Sequence, residues 1–228
     1  MHEPTGPIGV HEAAAAERSL LVEGARELGV PLSDAQTGLL LRLLDELEAA
    51  NAEFNLTAIR DRTGMLRKHL LDSLSVLPFL RGARAADVGT GAGFPGLPLA
   101  IASPERQFVL IESTGKKARY VARTALRLGL ENVEVVQERA ERYRPARGFD
   151  VVLARAVASL VDLVAYAGHL CAPDGRLLAM KGKRPDRELT ALPKGFHVLG
   201  VHRLRVPGLD EERHLVEICR ARPRPSAA

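Results

Sequence analysis

The sequence predicts an α/β fold: a doubly wound, mainly parallel sheet preceded by an N-terminal helical cap. Up to about residue 80, leucines recur at helical spacing. From Ala83 onward, short apolar runs alternate with helical segments, which is typical of a parallel sheet covered on both faces. The last two apolar runs flank a Pro-Gly turn and predict a closing antiparallel hairpin. Together these runs predict a seven-stranded sheet.

Size and composition fit one globular core with an appendage. The chain has 228 residues, of which 46% are hydrophobic and 26% charged. We predict four segments: a flexible N-terminus at 1–10, a helical region at 11–80, an α/β domain at 81–222 and a flexible tail at 223–228.

Composition also limits the class of protein. We find no apolar run of about 18 residues and no targeting signal, so we expect a cytoplasmic protein without a membrane partner. Cys171 and Cys219 are too few and too distant for a disulfide framework or a metal cluster. We expect reduced thiols, no metal and a monomer. The net charge of +4 permits a nucleic-acid partner, but 4% aromatic residues and no Trp disfavour a stacking platform for single strands.

The helical region contains three predicted helices. Ser33 and Gln36 form a capping-box pattern at the start of the second, whose leucines then repeat at helical spacing. Gly29 ends the first helix and Pro78 the third. The predicted ranges are 11–28, 34–52 and 62–77.

The α/β part begins with five predicted parallel strands. Their ranges are 84–88, 107–112, 132–136, 149–154 and 175–181. Helices are predicted between them at 115–128 and 158–170, and Pro173-Asp174-Gly175 predicts a turn before the fifth strand. The hairpin strands are predicted at 196–206 and 214–220.

A glycine-rich loop runs from Asp87 to Gly96, directly after the first strand. Glycine adopts positive φ and leaves amide groups uncovered, so the loop suits a nucleotide-like cofactor. Two spacings overlap. Gly89-x-Gly91-x-Gly93 is typical of S-adenosylmethionine (SAM) methyltransferases, and Gly91-x-Gly93-x-x-Gly96 of NAD-dependent oxidoreductases. A third interpretation is a tight turn without a ligand.

Register favours SAM. Gly89 is the first glycine after the strand, so the tight turn has the methyltransferase spacing. Pro95 and Pro98 remove amide donors that a pyrophosphate would use, and SAM has no pyrophosphate. The closing hairpin is also that of class I methyltransferases, as a fold-level analogy. Glu112, at the end of the second strand, suits the ribose of either cofactor.

Further segments carry a more specific resemblance. They are Asn55–Arg60, His69–Leu74, Asp87–Pro98, Gly115–Lys117, Arg155–Leu160, Met180–Gly182 and Glu212–Leu215. In this order they resemble the RsmG (GidB) family of 16S ribosomal RNA guanine-N7 methyltransferases. The segments that begin at His69 and Arg155 are the most specific. The resemblance implies a class I SAM-dependent methyltransferase fold at 81–222 behind the helical cap.

The resemblance also implies a cofactor site. Gly89 and Phe94 would line the SAM pocket, in the loop that also holds Gly91 and Gly93. Arg155 would meet the methionine side of the cofactor or the mouth of the active site. Phe94 and Glu112 depart from the residues that are frequent in the family, but both keep the chemistry available. The ribose would be met by Glu112, Ser113 and Thr114, and the adenine by Ala140 and Glu141.

The chemistry implied for this site needs little acid or base. Guanine N7 has an in-plane lone pair that is nucleophilic at neutral pH, so catalysis reduces to alignment and exclusion of water. Arg155 is the candidate catalytic residue, by orienting the cofactor carboxylate or a phosphate through its planar guanidinium. A surface ion pair is its alternative interpretation.

Several basic residues are candidates to bind RNA, with solvated surface charge or a packing role as the alternative. They are Lys116, Lys117, Arg139, Lys181, Lys183, Arg184 and His69.

The resemblance implies methylation of N7 of guanine 527 in 16S ribosomal RNA. The expected partner is that RNA or the small ribosomal subunit. Three alternatives stay open: a methyltransferase of the same fold acting on another RNA, a small molecule or a protein; a non-catalytic RNA-binding protein in ribosome assembly; and an NAD-dependent oxidoreductase.

Overall fold

The computed structural model describes residues 7–156 and 159–221. Helix α1 begins at Pro7, earlier than predicted and inside the segment predicted to be flexible. The remainder of that segment, the tail predicted at 223–228 and Ala158 at the start of a predicted helix lie outside the described residues.

Two long helices open the cap: α1 (Pro7–Glu27) and α2 (Asp34–Phe54). The predicted capping box is present, because the Ser33 hydroxyl accepts from the Gln36 amide and the Gln36 side chain accepts from the Ser33 amide. Leu40, Leu43, Leu44 and Leu47 of α2 are buried. Asn55 ends the helix in the left-handed conformation, with φ 48°.

The third predicted helix is not continuous. It consists of α3 (Arg62–Met65), a π-helical turn (Leu66–Leu71) and α4 (Asp72–Leu74), followed by a 3-10 turn (Leu77–Phe79). A π-helical turn is wider than an α-helical one and changes which side chains share a face. Here both His69 and Asp72 are buried toward the sheet. Pro78 lies within the 3-10 turn and does not end a longer helix.

The seven-stranded sheet confirms the predicted fold class. The strands are β1 (Arg84–Val88), β2 (Gln107–Ile111), β3 (Val133–Val136), β4 (Phe149–Arg155), β5 (Cys171–Lys181), β6 (Phe196–Leu204) and β7 (Arg213–Arg220). Their order is β3-β2-β1-β4-β5-β7-β6. The first five are parallel, and β7 pairs antiparallel with both β5 and β6.

Helices cover both faces of the sheet. The helices that follow β1, β2, β4 and β5 are, in order, α5 (Gly96–Ala102), α6 (Gly115–Leu128), α7 (Leu160–Ala167) with a 3-10 turn (Gly168–Leu170), and α8 (Asp186–Leu189). One apolar cluster joins the cap, α5 and α6 to one face, and a second joins α7 to the other. The first cluster includes leucines on both sides of residue 80. The boundary predicted there between the helical region and the α/β domain therefore stays a prediction.

Strand β5 begins earlier than predicted. Phe149 pairs with Cys171, whereas Val151 pairs with Arg176, so a longer stretch of β5 faces a shorter one of β4. Pro173-Asp174-Gly175 lies in this irregular stretch of the strand, and the turn predicted there is wrong.

The strand order fixes where a ligand can bind. The connections after β1 and β4 lead to opposite faces of the sheet, which leaves a crevice at the carboxyl ends of these two adjacent strands. The glycine loop follows β1 and Arg155 ends β4, so both lie at this crevice.

Candidate active site

A cleft of about 180 Å³ lies at the carboxyl ends of β1, β2 and β3; we call it the cofactor cleft. It brings together five residues predicted to bind cofactor or RNA, from three separate stretches of chain. Tyr166 of α7 also lines the cleft, although the sequence pattern around it indicates only an apolar helix. The lining residues are Val88, Gly89, Ile111, Ser113, Glu138, Arg139, Ala140, Glu141 and Tyr166.

The backbone of the glycine loop opens toward this cleft. Gly89, Gly91 and Gly93 all have positive φ, at 66°, 62° and 92°. A Cβ on Gly89 would meet no atom within 4 Å, whereas one on Gly93 would lie 2.4 Å from Leu97 Cδ1. Gly89 therefore borders open space, and Gly93 allows the close approach of α5.

Glu112 holds the loop to the end of β2. It is buried, and its two carboxylate oxygens accept hydrogen bonds from the amides of Gly91 at 3.0 Å and Thr114 at 2.8 Å. Each carboxylate oxygen can accept more than one hydrogen bond, so a ribose hydroxyl remains a compatible partner. Glu112, Gly91, Gly93 and Thr114 thus support the cleft without being among its lining residues.

Asp87 lies fully buried beneath the same loop. Its Oδ2 accepts from the Thr90 hydroxyl at 2.6 Å and from the Gly96 amide at 2.9 Å. Its Oδ1 has no partner among the described residues. Burial raises the pKa of this carboxyl to about 6, and the two hydrogen bonds lower it by less.

These residues fit a SAM-like cofactor. The cleft has open space at Gly89, apolar walls from Val88 and Ile111, and two acidic lining residues, Glu138 and Glu141. An adenosyl group needs such walls for its base and acceptors for its hydroxyl and amino groups.

A second cavity, of about 350 Å³, lies between the cap and the carboxyl ends of β4 and β5; we call it the cap cavity. Its polar residues come from the cap and from strands β4, β5 and β7. The lining residues are Ile59, Lys68, His69, Asp72, Arg155, Ala156, Met180, Lys181, Gly182 and Arg213.

Arg155 belongs to the cap cavity and is not among the residues that line the cofactor cleft. Its guanidinium lies 3.6 Å from Asp72 Oδ2, and Arg213 Nε donates to Asp72 Oδ1 at 3.0 Å. Asp72 is buried, and burial raises the pKa of its carboxyl while the two guanidinium groups lower it. Neither Asp72 nor Arg213 is among the candidate site residues, although both lie in segments that carry the resemblance.

Phe94 connects the glycine loop to the cap. It is 2% exposed, and its ring stacks on His69 at 4.8 Å and lies 5.6 Å from the Arg155 guanidinium carbon. The structure thus places Phe94 beneath the cap cavity and not along the cofactor cleft. The peptide bond between Phe94 and Pro95 is cis.

His69 is buried in the wall of the cap cavity. Its Nε2 lies 2.8 Å from the Thr57 hydroxyl, and its Nδ1 has no partner among the described residues. Burial, with a smaller contribution from the Arg155 charge, lowers the pKa of His69 to about 4. The ring is therefore neutral at physiological pH.

The remaining basic candidates differ in their surroundings. Lys181 is 10% exposed and pairs with Glu188 at 2.9 Å, whereas Lys183 is exposed. Arg184 pairs with Asp186 at 2.7 Å. Lys116 lies over the ring of Phe54 at 4.4 Å, beside the half-buried Lys117. Arg139 lines the cofactor cleft.

Within the described residues, 7–156 and 159–221, no group of three or more His, Cys, Asp or Glu side chains could hold a metal ion. No helix in the same ranges is long and apolar enough to cross a membrane. Cys171 and Cys219 form no disulfide.

Comparisons with known proteins identify the family. The family model of GidB, rRNA small subunit methyltransferase G, matches residues 36–216. Ribosomal RNA small subunit methyltransferase G from Nitrosococcus oceani is 50% identical over 206 residues, which cover 90% of this chain and 95% of the relative. The protein of that name from Methylococcus capsulatus is 50% identical over 199 residues, or 87% of this chain and 97% of the relative.

A solved structure gives the fold. The SAM-dependent methyltransferase from Aquifex aeolicus has a TM-score of 0.55 at 19% identity, covering 72% of this chain and 96% of that chain. Likeness at this identity shows the fold alone. The chain therefore belongs to the GidB family of small-subunit ribosomal RNA methyltransferases and has the class I fold of SAM-dependent methyltransferases.

Proposed function

We propose that this protein transfers a methyl group from SAM to N7 of guanine 527 in 16S ribosomal RNA. The observation that carries the proposal is the arrangement of two cavities about one loop. Gly89 lines the cofactor cleft, while Phe94 of the same loop packs against His69 and Arg155 in the wall of the cap cavity. A base in the cap cavity would thus lie next to a cofactor in the cleft.

The residues of the cleft divide the work of holding SAM. Gly89 would give the room, Glu112 and Ser113 would meet the ribose, and Ala140 and Glu141 would meet the adenine. When bound, SAM supplies a methyl group on a positively charged sulfur.

The cap cavity suits a base that is already nucleophilic. Burial lowers the pKa of His69 to about 4, so its neutral ring is a weak base, and both oxygens of Asp72 face guanidinium groups. Guanine N7 loses no proton when it is methylated, so alignment and exclusion of water suffice. An exocyclic amine has to lose a proton, and this setting suits it less.

Ribosomal RNA from cells that lack the protein tests the substrate. Borohydride and aniline cleave RNA at N7-methylguanine, and primer extension locates the break. We expect the break at guanine 527 to disappear on deletion and to return with the wild-type protein, but not with Gly89→Asp. Isothermal titration should show that Gly89→Asp no longer binds SAM. An unchanged break on deletion would contradict the substrate and leave another RNA or a small molecule to be sought.

We also infer that the protein acts as a monomer in the cytoplasm. Its two cysteines form no disulfide, which fits a reducing compartment. Sedimentation with and without small subunits tests the oligomeric state, and a stable dimer would contradict it.

A further inference from the structure

The π-helical turn of the cap holds the Arg155 guanidinium. Its Nη1 donates to the Lys68 carbonyl oxygen at 3.3 Å, within that turn, and lies 3.6 Å from Oδ2 of Asp72, which directly follows the turn. A side-chain hydrogen bond joins Asp72 and Arg155. Turns of this type are frequent at functional sites. The cap therefore presents two acceptors to the last residue of β4.

A second guanidinium fixes Asp72 from its other side. Nε of Arg213, on β7, donates to Asp72 Oδ1 at 3.0 Å, and the carboxylate is buried. Because each oxygen faces one guanidinium, Asp72 bridges two like charges that would otherwise repel each other. Burial lowers the pKa of Arg155, and the Arg213 charge also lowers it, whereas the Asp72 carboxylate raises it. Asp72 thus stabilises both the charge and the place of Arg155.

The group around Asp72 carries an excess of positive charge. Within the described chain, two carboxylates, Asp72 and Glu211, are shared by three cations, which are Lys68, Arg155 and Arg213. Lys68 Nζ lies 2.7 Å from Glu211, so the excess falls on the two guanidinium groups that share Asp72. An uncompensated guanidinium at a cavity attracts a carboxylate or phosphate of a ligand.

The strand order places Arg155 on the methionine side of the cofactor. The residues proposed for the adenine follow β3, and Glu112, proposed for the ribose, follows β2. The strands lie in the order β3-β2-β1-β4, and Arg155 ends β4. A cofactor that lies across these strand ends with its adenine at β3 extends its methionine carboxylate toward Arg155. This direction supports the role that the resemblance implies for Arg155.

We propose that Asp72 is a positioning residue: fixed by Arg213, its carboxylate holds the Arg155 guanidinium where that group donates to the methionine carboxylate of SAM. The inference rests on the proposed function, because it takes SAM as the cofactor. Asp72 belongs to the cap and Arg213 to the closing hairpin, and neither is among the residues that line the cofactor cleft. Both outer parts of the chain thus contribute to cofactor binding through Arg155.

Positioning and charge have opposite effects on the affinity for the cofactor. The negative charge of Asp72 alone repels the carboxylate of the cofactor, so its removal would tighten binding. Loss of the anchor lets the Arg155 guanidinium adopt other rotamers, and a ligand then has to order it again, which weakens binding. If Asp72 acts by positioning, the second effect is the larger. The sign of the change in affinity therefore distinguishes the two.

Isothermal titration of the full-length protein with two ligands measures this change. S-adenosylhomocysteine keeps the amino acid part of the cofactor, whereas methylthioadenosine lacks it. We expect Asp72→Asn, which keeps the shape of the side chain without its charge, to bind S-adenosylhomocysteine roughly tenfold more weakly than wild type. Its affinity for methylthioadenosine should equal that of wild type.

The Arg155→Gln variant measures the coupling. Alone it should weaken binding of S-adenosylhomocysteine roughly 10- to 100-fold, and Asp72→Asn added to it should cause little further loss. Arg213→Gln should cause a smaller loss than Asp72→Asn, because it acts through Asp72. Asp45→Asn, which removes a carboxylate 2.7 Å from Arg62 elsewhere in the cap, is the matched control and should bind both ligands as wild type does.

The other outcomes would overturn the role of Asp72. Equal losses for both ligands would indicate a general structural role of the ion pair, and unchanged or tighter binding of S-adenosylhomocysteine would exclude positioning. Additive losses from Asp72→Asn and Arg155→Gln would show that Asp72 does not act through Arg155. Slower methylation of small subunits by Asp72→Asn with unchanged cofactor affinity would favour an RNA phosphate as the ligand.

Two further measurements keep the test decisive. Circular dichroism shows whether each variant is folded, and if Asp72→Asn is not, Arg213→Gln with the same two ligands takes its place. In that case, equal affinities of Arg213→Gln and wild type for S-adenosylhomocysteine would overturn the inference. A wild-type protein that does not bind S-adenosylhomocysteine would contradict the proposed function itself, before any variant is compared.

Discussion

The ring of Phe94 stacks on the ring of His69, with centroids 4.8 Å apart and planes 26° apart. This contact joins the glycine loop to the cap. We expect Phe94→Ala to lower the free energy of unfolding by about 3–5 kcal/mol, because it leaves a cavity between the two. Urea denaturation measures this, and Leu126→Ala, at a side chain 81% exposed, should change it by less than about 0.5 kcal/mol.

Phe94→Leu separates packing from aromatic stacking. Leucine restores most of the volume, so we expect a loss of about 1–1.5 kcal/mol. A Phe94→Ala variant as stable as wild type would show that the loop does not depend on this contact.

Gly89 and Gly29 form a matched pair in the left-handed conformation, with φ 66° and 73° and open space around a Cβ at each. Alanine at either position should cost about 1–2 kcal/mol of stability, because an L side chain is strained there. Only Gly89 lines the cofactor cleft. We expect Gly89→Ala to weaken binding of S-adenosylhomocysteine by about tenfold or more, measured by isothermal titration, and Gly29→Ala to leave it unchanged. Equal affinities would rule out contact of Gly89 with the cofactor.

Asp87 makes the stability of the protein depend on pH. Burial raises the pKa of its carboxyl from 3.8 to about 6. Between these values the folded protein keeps a proton that the unfolded chain has released. The contribution of Asp87 to the free energy of unfolding therefore falls as the pH rises through this window, by about 3 kcal/mol in total.

The Asp87→Asn variant should remove this part of the pH dependence. Its amide oxygen can still accept from Thr90 and Gly96, and it carries no charge. Relative to wild type, we expect the variant to gain stability by a few kcal/mol between about pH 4 and about pH 8. Urea denaturation of both proteins across that range measures the difference. Parallel curves would show that the Asp87 carboxyl titrates normally.

Lys181 and Lys183 should respond differently to removal. Lys181 pairs with Glu188, which also accepts from the Leu160 amide, so we expect Lys181→Ala to cost about 1–2 kcal/mol of stability. Lys183 is exposed, and Lys183→Ala should leave stability unchanged. If Lys183 contacts a phosphate, its removal lowers the slope of log affinity against log salt by about 1. Filter binding of small subunits at several salt concentrations measures it, and an unchanged slope would exclude the contact.

Local patterns predict most of the fold. The capping box at Ser33 and the apolar runs of β1 to β4 depend on neighbours in sequence, and they lie close to their predicted positions. The irregular start of β5 does not follow such a rule. Pro173 and Gly175 have turn chemistry, but the pairing of β5 with β4 absorbs them in a strand.

The candidate site likewise has one part that local sequence patterns predict and one part that they do not. The glycine spacing and Glu112 are close in sequence and could be interpreted as one unit. The cap cavity is different, because Asp72 meets Arg155 and Arg213 only through the tertiary fold. Its two guanidinium partners lie far along the chain from Asp72. The place of Phe94 beneath the cap cavity also depends on packing that no spacing encodes.

The Asp72–Arg213 ion pair has a consequence for biosynthesis. The two residues are 141 positions apart, whereas the cofactor cleft is lined by residues between Val88 and Tyr166. All residues that line the cleft are thus synthesised before β7, which supplies Arg213 to the cap cavity. A chain that ends before Arg213 would lack part of the cap cavity in which the base is proposed to bind. The order of synthesis itself would keep incomplete chains from methylating RNA.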